Sequence, residues 1–301
     1  KIKKFKPDIA GITVLMDQYG EAGHITAKIV KEVSKNIITV LGGVYATANP
    51  KRAMEDKNLD YVVMGEGEFV FRQLVGFHSG ACDLPDRGIC FRKNGNGKLE
   101  HRGHAAFIKN LDALPKPAYH LIDLLSYTSR FANRRTVDQP GGYPYARIIT
   151  SRGCPEKCSF CQVPSLQGSY FRARSPDHVC DEIEWLKKEY GIKSVIFDDD
   201  NMFTNKKRAK ALFRRMIERN IAMPWTSPAT AVFRLDNEVI DLMAQSGCRY
   251  INIAIESGSE RVTRDIVLKP LDYDHAKKMV AYAKKKGLFV GANFIIGFPT
   301  E

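Results

Sequence analysis

The sequence predicts an α/β protein in which a Rossmann-like parallel-sheet domain precedes a partial TIM-like (β/α) barrel. Two observations lead to this prediction. Apolar segments rich in β-branched residues alternate with helical segments in residues 8–68, and the same alternation resumes at Tyr143. Residues 80–142, between these two regions, interrupt it with turn-forming residues. Because parallel strands need crossover connections, repeated strand–helix units indicate parallel sheets.

The first region is predicted to form three strands joined by helices. Its first helical segment repeats Ile25, Ile29, Val30 and Val33 at helical spacing, which predicts that these residues share one face. The predicted strands are 8–16, 37–45 and 59–64, and the predicted helices are 20–35 and 50–56. A doubly wound sheet binds ligands at the carboxyl ends of its strands.

The middle of the chain has a different composition. An Asn-Gly-Asn-Gly run at 94–97, between apolar segments, indicates a hairpin within 80–103. The stretch from Leu114 to Gly142 is rich in Pro, Gly and aromatic residues, and we expect an ordered linker that packs on both domains. The predicted organisation is therefore a first domain at 1–80, a hairpin and linker at 81–142, and a barrel domain at 143–301.

The barrel region is predicted to contain five strands separated by helices with recognisable ends. Ser175-Pro176 begins one helix and Gly191 ends it, whereas Asp236 and Asp272 begin two more. The predicted strands are 146–150, 194–197, 225–229, 250–255 and 290–296. In a TIM-like barrel, reactive groups gather at the carboxyl ends of the strands.

Composition narrows the function classes. Of the 301 residues, 44% are hydrophobic, and no apolar run reaches the roughly 20 residues that span a bilayer. The sequence shows no secretory leader. It begins with Lys1 rather than Met, just before a predicted strand, and ends with Glu301 just after one, so we interpret it as a fragment cut at both ends. The net charge is +12, but the basic runs lack interleaved aromatic residues. A solvated basic surface is therefore favoured over nucleic-acid binding.

Three of the seven cysteines lie within eight residues. Cys154, Cys158 and Cys161 follow the first barrel strand in the pattern C-x3-C-x2-C, and such spacing lets one loop wrap an iron–sulfur cluster. Three thiolates leave one iron of a four-iron cluster open to a further ligand. A zinc site would need a fourth ligand, which no second cysteine pair or nearby His supplies. Ordinary thiols are the remaining alternative.

The other cysteines show no metal-binding pattern, and we interpret them as structural: Cys82, Cys90, Cys180 and Cys248. An odd, clustered set of cysteines also favours a reduced, cytoplasmic protein over a secreted disulfide framework.

The cysteine motif, with Phe160 before its last cysteine, resembles the signature of the radical S-adenosylmethionine (SAM) enzymes. The resemblance runs from about Tyr143 to Glu301. It implies that the three cysteines form the catalytic centre as ligands of an oxygen-sensitive [4Fe-4S] cluster. SAM would bind its open iron and yield a 5′-deoxyadenosyl radical, with Phe160 beside the adenine. It also implies a reductant such as flavodoxin or ferredoxin.

Residues after further strands extend the resemblance. Asp199 and Asp200 would face the methionine or substrate side of the pocket, although a helix cap before Thr204 is an alternative. Glu256 and Ser257 resemble an element that hydrogen-bonds SAM, and a Ser-Gly turn is the alternative.

The remaining candidates lie in and directly after the fifth predicted strand, and after the third. Asn293, Ile296 and Gly297 resemble the fifth-strand element beside the adenine, with a buried strand and a glycine turn as the alternative. Arg234 could bind a carboxylate or phosphate, or pair with an acidic neighbour.

The first domain resembles the cobalamin-binding domain that often precedes this barrel. The matching positions are Thr13, Leu15, Gly42, Gly43 and Gly65. The resemblance implies that the small hydroxyl residue and the glycines admit the dimethylbenzimidazole tail of cobalamin. The family's Asp-x-His-x-x-Gly segment would lie upstream of Lys1, so no lower cobalt ligand is assigned. His24 is interpreted as a surface residue. A scaffold without cofactor is the alternative.

Both resemblances together imply a cobalamin-dependent radical SAM enzyme that methylates an unactivated carbon of a small-molecule, lipid or peptide substrate. Cyclisation, rearrangement or oxidation without methyl transfer is the second hypothesis. A methylthiotransferase is disfavoured because the first two segments offer only Cys82 and Cys90 for a further cluster. The non-enzymatic alternative is an iron–sulfur or cobalamin sensor.

Overall fold

The computed structural model describes residues 2–93, 97–124 and 142–301. The chain divides into two compact units, Lys1–Ile108 and Lys109–Glu301. The tip of the predicted hairpin, 94–96, and much of the predicted linker, 125–141, lie outside the described residues. Within the described part of the chain, no helix is both long and apolar enough to cross a membrane.

The first unit is built on a mixed sheet with the strand order β1-β2-β3-β4-β5. Its strands are β1 (Ile9–Thr13), β2 (Ile38–Gly42), β3 (Tyr61–Val63), β4 (Ile89–Arg92) and β5 (Leu99–His101). The first three are parallel, as predicted, and the last two form the predicted hairpin. Because β4 pairs antiparallel with β3, the hairpin extends the sheet of this unit.

Helices of the first unit connect and cover these strands. They are α1 (Ile2–Phe5), α2 (Gly20–Val33), α3 (Val44–Ala48), α4 (Pro50–Ala53) and α5 (Gly67–His78).

The predicted apolar face of α2 is wrong for its two isoleucines and right for Val30. Ile25 and Ile29 are about half exposed, whereas Gly23, Ala27 and Val30 are buried. A Cβ on Gly23 would lie 2.7 Å from Val14 Cγ2. The helix therefore packs so close to the sheet that small residues, not the large isoleucines, form its inner face.

The second unit is built on a parallel sheet with the order β12-β11-β10-β9-β6. Its strands are β6 (Tyr145–Ile148), β9 (Ser194–Phe197), β10 (Trp225–Thr230), β11 (Cys248–Glu256) and β12 (Phe289–Phe294). A short antiparallel pair, β7 (Ser151–Arg152) and β8 (Arg172–Ala173), lies between β6 and β9 in the chain. The five predicted strands are confirmed, and their order is that of a partial (β/α) barrel.

The described part of the second unit contains five α-helices. They are α6 (Val163–Gln167), α7 (Pro176–Tyr190), α8 (Lys206–Glu218), α9 (Asn237–Gln245) and α10 (Tyr273–Lys285). Of these, α7, α9 and α10 have the predicted boundaries, α6 was not predicted, and α8 begins differently. Ser175 Oγ accepts a hydrogen bond from His178 N, and Gly191 ends α7 in the left-handed conformation. Asn205 caps α8 by accepting from Arg208 N, so the acidic run before Thr204 does not cap it.

A buried carboxylate joins the ends of β6 and β9. Asp199 is 3% exposed. Its Oδ1 accepts hydrogen bonds from Thr150 N at 3.0 Å and from Ser151 Oγ at 2.5 Å. Arg208 of α8 donates to Thr150 Oγ1 at 2.8 Å. Burial raises the pKa of Asp199 to about 6, although the charge of Arg208 and these hydrogen bonds oppose the shift.

This carboxyl makes the stability of the metal-free protein depend on pH. Because the folded state binds the Asp199 proton more tightly than the unfolded state, the free energy of unfolding falls as pH rises from about 4 to about 6. The expected fall is about 3 kcal/mol at most, with no further change above that range. Asp199→Asn should remove it, as measured by urea unfolding at pH values from 4 to 7.5.

The neighbouring Asp198→Asn variant is the matched control, because Asp198 pairs with Arg147 near the surface. Parallel stability–pH curves for wild type and Asp199→Asn would contradict the prediction.

Candidate functional site

The three clustered cysteines lie in the loop that follows β7, and each is partly exposed. Gly153 begins this loop with φ +83°, and a Cβ there would lie 2.3 Å from Tyr170 O. Only glycine permits this approach without displacing the backbone. Cys154 N donates to Gly168 O at 3.3 Å, and Cys161 N donates to Cys158 O at 3.0 Å. The loop is thus held tightly at its start and coiled at its end.

The acidic run after β9 contacts the chain that leads into this loop. Asp198 pairs with Arg147, Asp199 binds Thr150 and Ser151, and Asp200 accepts from Gly153 N at 3.2 Å. Each carboxylate therefore has its own partner along one neighbouring segment. Binding of SAM or substrate by Asp199 and Asp200 stays a prediction, because the observed partners of both belong to the protein.

Asn201 continues the same run and was missed by the sequence analysis. Its Nδ2 donates to Cys154 Sγ at 3.9 Å, a long contact to sulfur. The residue is 4% exposed, and its Oδ1 has no hydrogen-bond partner among the described residues. No signal in the sequence indicated this contact between the Asn201 amide and the Cys154 thiol, because Asn201 only follows the acidic residues 198–200 and is 47 positions away from Cys154.

Elements beyond β10 and β11 hold the middle of the cysteine loop. Arg234, in the turn after β10, donates to Glu156 Oε1, with its Nε at 3.1 Å. The alternative of an acidic neighbour for Arg234 is therefore confirmed. Ser159 N donates to Val267 O at 3.0 Å, and Ser159 Oγ donates to Ile266 O at 2.6 Å. The last two contacts come from the segment that follows β11.

Glu256 and Ser257 lie at the end of β11, and both are buried. Glu256 Oε1 accepts from Lys269 Nζ at 2.7 Å. Ser257 Oγ accepts from Ser259 N at 3.2 Å, which forms the Ser-Gly turn, and Ser257 O accepts from Tyr273 OH at 2.6 Å. A role for either side chain in binding SAM stays a prediction.

The fifth strand supplies an aromatic contact to the loop. The rings of Phe160 and Phe298 lie 5.9 Å apart, centroid to centroid, tilted by 50°. Asn293 is exposed and Ile296 is 92% exposed, so the alternative of a buried strand is wrong for these residues. Gly297 N donates to Glu301 Oε2 at 2.8 Å. Phe160 and Ile296 thus expose apolar surface on this side of the loop, and a contact of these residues with adenine stays a prediction.

The three thiols supply the donor atoms that iron–sulfur clusters use. In a cubane cluster each thiolate binds a separate iron, so three thiolates hold three of the four irons. Outside the gaps at 1, 94–96 and 125–141, the structure shows no group of three or more His, Cys, Asp or Glu arranged around a single metal position.

Burial raises the pKa of Cys154 and Cys158, and in each case the charge of Cys161 adds to the shift. Metal binding would displace the protons of these thiols. Three partly exposed thiols within one loop are a donor set that fits an iron–sulfur cluster.

Elsewhere the cysteines differ in burial. Cys90, Cys180 and Cys248 are buried, whereas Cys82 is exposed and donates to Gln73 O at 3.4 Å.

The predicted cobalamin positions of the first unit lie at the carboxyl ends of β1, β2 and β3. Thr13 and Leu15 are exposed, and a Cβ on Gly42 would meet no atom within 4 Å. Gly43 has φ +93°, and a Cβ there would lie 2.5 Å from Val14 O. Open space above Gly42 beside exposed Leu15 fits a large, partly apolar group at these strand ends. Binding by these residues stays a prediction.

Thr47 joins two of these positions and was missed by the sequence analysis. It is 5% exposed. Its Oγ1 donates to Gly43 O at 2.8 Å and accepts from Gly65 N at 3.0 Å. One hydroxyl therefore sets the relative positions of the turns after β2 and β3. The spacing of Thr47 four residues after Gly43 was the only available signal.

The interpretation of His24 as a surface residue is wrong. Its Nδ1 lies 2.9 Å from Asp56 Oδ2, and its Nε2 lies 2.9 Å from Tyr45 OH. Both ring nitrogens are thus engaged in a partly buried network that joins α2 to the segment after α4.

Comparison with known protein families identifies both units. The Radical SAM superfamily matches residues 148–301, and the B12 binding domain matches residues 1–75. These matches confirm the cofactor predictions of SAM, a [4Fe-4S] cluster and cobalamin.

Curated relatives match along nearly the whole chain. Cytidylyl-2-hydroxyethylphosphonate methyltransferase of Streptomyces wedmorensis is 33% identical over 99% of this chain and 59% of its own length. Anaerobic magnesium-protoporphyrin IX monomethyl ester cyclase of Rubrivivax gelatinosus is 29% identical over 100% of this chain and 53% of its own length. The chain thus spans between half and three-fifths of the length of these relatives.

Among solved structures, the radical SAM methyltransferase TsrM from Kitasatospora setae, with cobalamin and a [4Fe-4S] cluster bound, superposes with a TM-score of 0.75. The match covers 98% of this chain and 59% of TsrM at 20% identity, so it shows a shared fold. Since the family match covers half of the chain and includes the cysteine loop, this protein belongs to the radical SAM superfamily, with a B12 binding domain ahead of its radical SAM domain.

Proposed function

We propose that this protein is a cobalamin-dependent radical SAM methyltransferase that transfers a methyl group to an unactivated carbon. One observation carries the proposal: a loop with three partly exposed thiols is anchored from the carboxyl ends of a parallel sheet, in a chain that also has a B12 binding domain. When bound, the cluster and SAM supply a 5′-deoxyadenosyl radical, and cobalamin supplies the methyl group.

The residues of the second unit have distinct proposed roles. Cys154, Cys158 and Cys161 hold the cluster and leave one iron open to SAM. Phe160 and Ile296 form an apolar surface for the adenine, while Asn293 and Gly297 add polar and backbone contacts beside it. The residues with in-chain partners, Asp199, Asp200, Glu256 and Ser257, border this region.

In the first unit, we assign the tail of cobalamin to the strand ends formed by Thr13, Leu15, Gly42, Gly43 and Gly65. The wider setting follows from the cofactors. Anaerobic chemistry and unpaired thiols suit the cytoplasm, where flavodoxin or ferredoxin can deliver the single electron that the cluster needs. The substrate class is a small molecule, lipid or peptide.

Cys158→Ala tests the cluster assignment. The variant should lose iron and reduce the formation of 5′-deoxyadenosine from SAM to background, because two thiolates cannot secure the cluster. Iron content and 5′-deoxyadenosine are measured after anaerobic reconstitution with dithionite as reductant.

Cys82→Ala is the matched control, since this exposed thiol lies outside the loop and should be dispensable. If Cys158→Ala still cleaves SAM reductively, the assignment is wrong.

Gly42→Ala tests the cobalamin assignment. A Cβ at this position enters open space, so the melting temperature should stay unchanged while the bound cobalamin falls at least tenfold. Cobalamin is measured from the visible spectrum after subtraction of the cluster absorbance, in protein from cobalamin-supplied cells.

Gly43→Ala is the comparison variant, in which a folding defect is expected. Its Cβ would clash with Val14 O at a positive φ, so this variant should lower the melting temperature by several degrees.

A wild-type cobalamin content in Gly42→Ala would contradict the proposed position of the cobalamin tail.

Cyclisation or oxidation without methyl transfer is the second candidate, favoured by the match to a magnesium-protoporphyrin ester cyclase over the whole chain. Product mass distinguishes the two, because methyl transfer adds one methyl group to the substrate and cyclisation does not. A sensor would bind cofactors without producing 5′-deoxyadenosine.

A further inference from the structure

A buried ion pair lies at the end of β11, beside the cysteine loop. Lys269 Nζ donates to Glu256 Oε1 at 2.7 Å, and the residues are 8% and 6% exposed. Removing two charges from water is expensive, and replacing a buried ion pair by apolar residues is often neutral or stabilising. Stability alone therefore gives little reason for a lysine at this position.

The backbone around the pair is strained. Glu256 has φ +70° and Leu268 has φ +59°, a region that residues other than glycine rarely adopt. Such backbone conformations are costly, and residues that adopt them gather at functional sites. Lys269 N donates to Thr263 O at 2.9 Å, and Ile295 N donates to Glu256 O at 2.7 Å. Neighbouring segments thus hold both partners in place despite this cost.

The pair is joined to the cysteine loop through the chain just before Lys269. Ser159, the residue after Cys158, binds Val267 O through its N–H and Ile266 O through its hydroxyl, at 3.0 and 2.6 Å. Only Leu268 separates Val267 from Lys269, so these two hydrogen bonds hold the segment that carries the ammonium group against the cysteine loop at Ser159.

We propose that Lys269 is a positioning cation that sets the reduction potential of the cluster held by the cysteine loop, and that Glu256 holds Lys269 and offsets part of its charge. The inference rests on the proposed function, because it needs the cluster. Reduction by one external electron adds one negative charge beside the ammonium group. A fixed cation should therefore favour the reduced state, and a fixed carboxylate should oppose it.

The test compares Lys269→Met, Lys269→Arg and Glu256→Gln with wild type in the reconstituted, SAM-free protein. Iron and sulfide contents come first, followed by a dithionite redox titration monitored by electron paramagnetic resonance. Lys269→Met should weaken the reduction equilibrium about tenfold, a shift of about 59 mV to lower potential for one electron. Lys269→Arg keeps the charge and should retain the wild-type potential. Glu256→Gln should shift the potential upward, because it removes only the negative partner.

The opposite signs separate electrostatics from a loosened structure. Wild-type potentials in Lys269→Met and Glu256→Gln, or shifts of the same sign in both, would overturn the inference while leaving the cluster assignment intact. If Lys269→Met holds too little iron to titrate, Glu256→Gln decides alone: a potential at or below that of wild type overturns the inference. Wild-type protein that binds no cluster would overturn the proposed function, and the inference with it.

Discussion

Parallel strands all end at the same edge of a sheet, and the site of the second unit depends on this constraint. The cysteine loop follows the first strand of that sheet and contains little regular structure of its own. Side chains and backbone groups that follow the other strands hold it. Asp200 comes after β9, Arg234 after β10, Val267 after β11 and Phe298 after β12, and each contacts a different part of the loop.

Charge is used in this arrangement mainly to fix the backbone. Three adjacent carboxylates would repel one another, but each finds a separate partner along the segment before Cys154. Arg234 and Glu156 fix the loop from the end of β10, the strand next to β9. These charged groups are therefore already paired within the chain, although the sequence alone suggests that they are available to bind a ligand. They also explain why an acidic run at a strand end need not be a binding site by itself.

The first unit uses close packing instead of charge. Gly23 brings α2 close to the sheet, and Gly43 lets the chain turn against the backbone of Val14. Thr47 then joins the turns after β2 and β3 through one buried hydroxyl. The strand ends that result are open above Gly42. A bulky cofactor needs this kind of space. A cluster instead needs three cysteine thiolates of the second unit at fixed positions.

The sequence by itself determined the fold class, the five barrel strands, the helix ends at Ser175 and Gly191, and the cysteine motif. These features depend on local patterns: apolar periodicity, capping chemistry and the spacing of ligands within one loop. Only the tertiary structure decided the partners of Asp199 and Arg234, the pairing of Glu256 with Lys269, and the roles of Asn201 and Thr47. It also decided which face of α2 is buried, because close approach to the sheet favours small residues over large apolar ones. Some of these contacts join residues that are far apart in the chain, and others depend on the space between secondary-structure elements. The local spacing of residues in the sequence encodes neither the partner nor the available space.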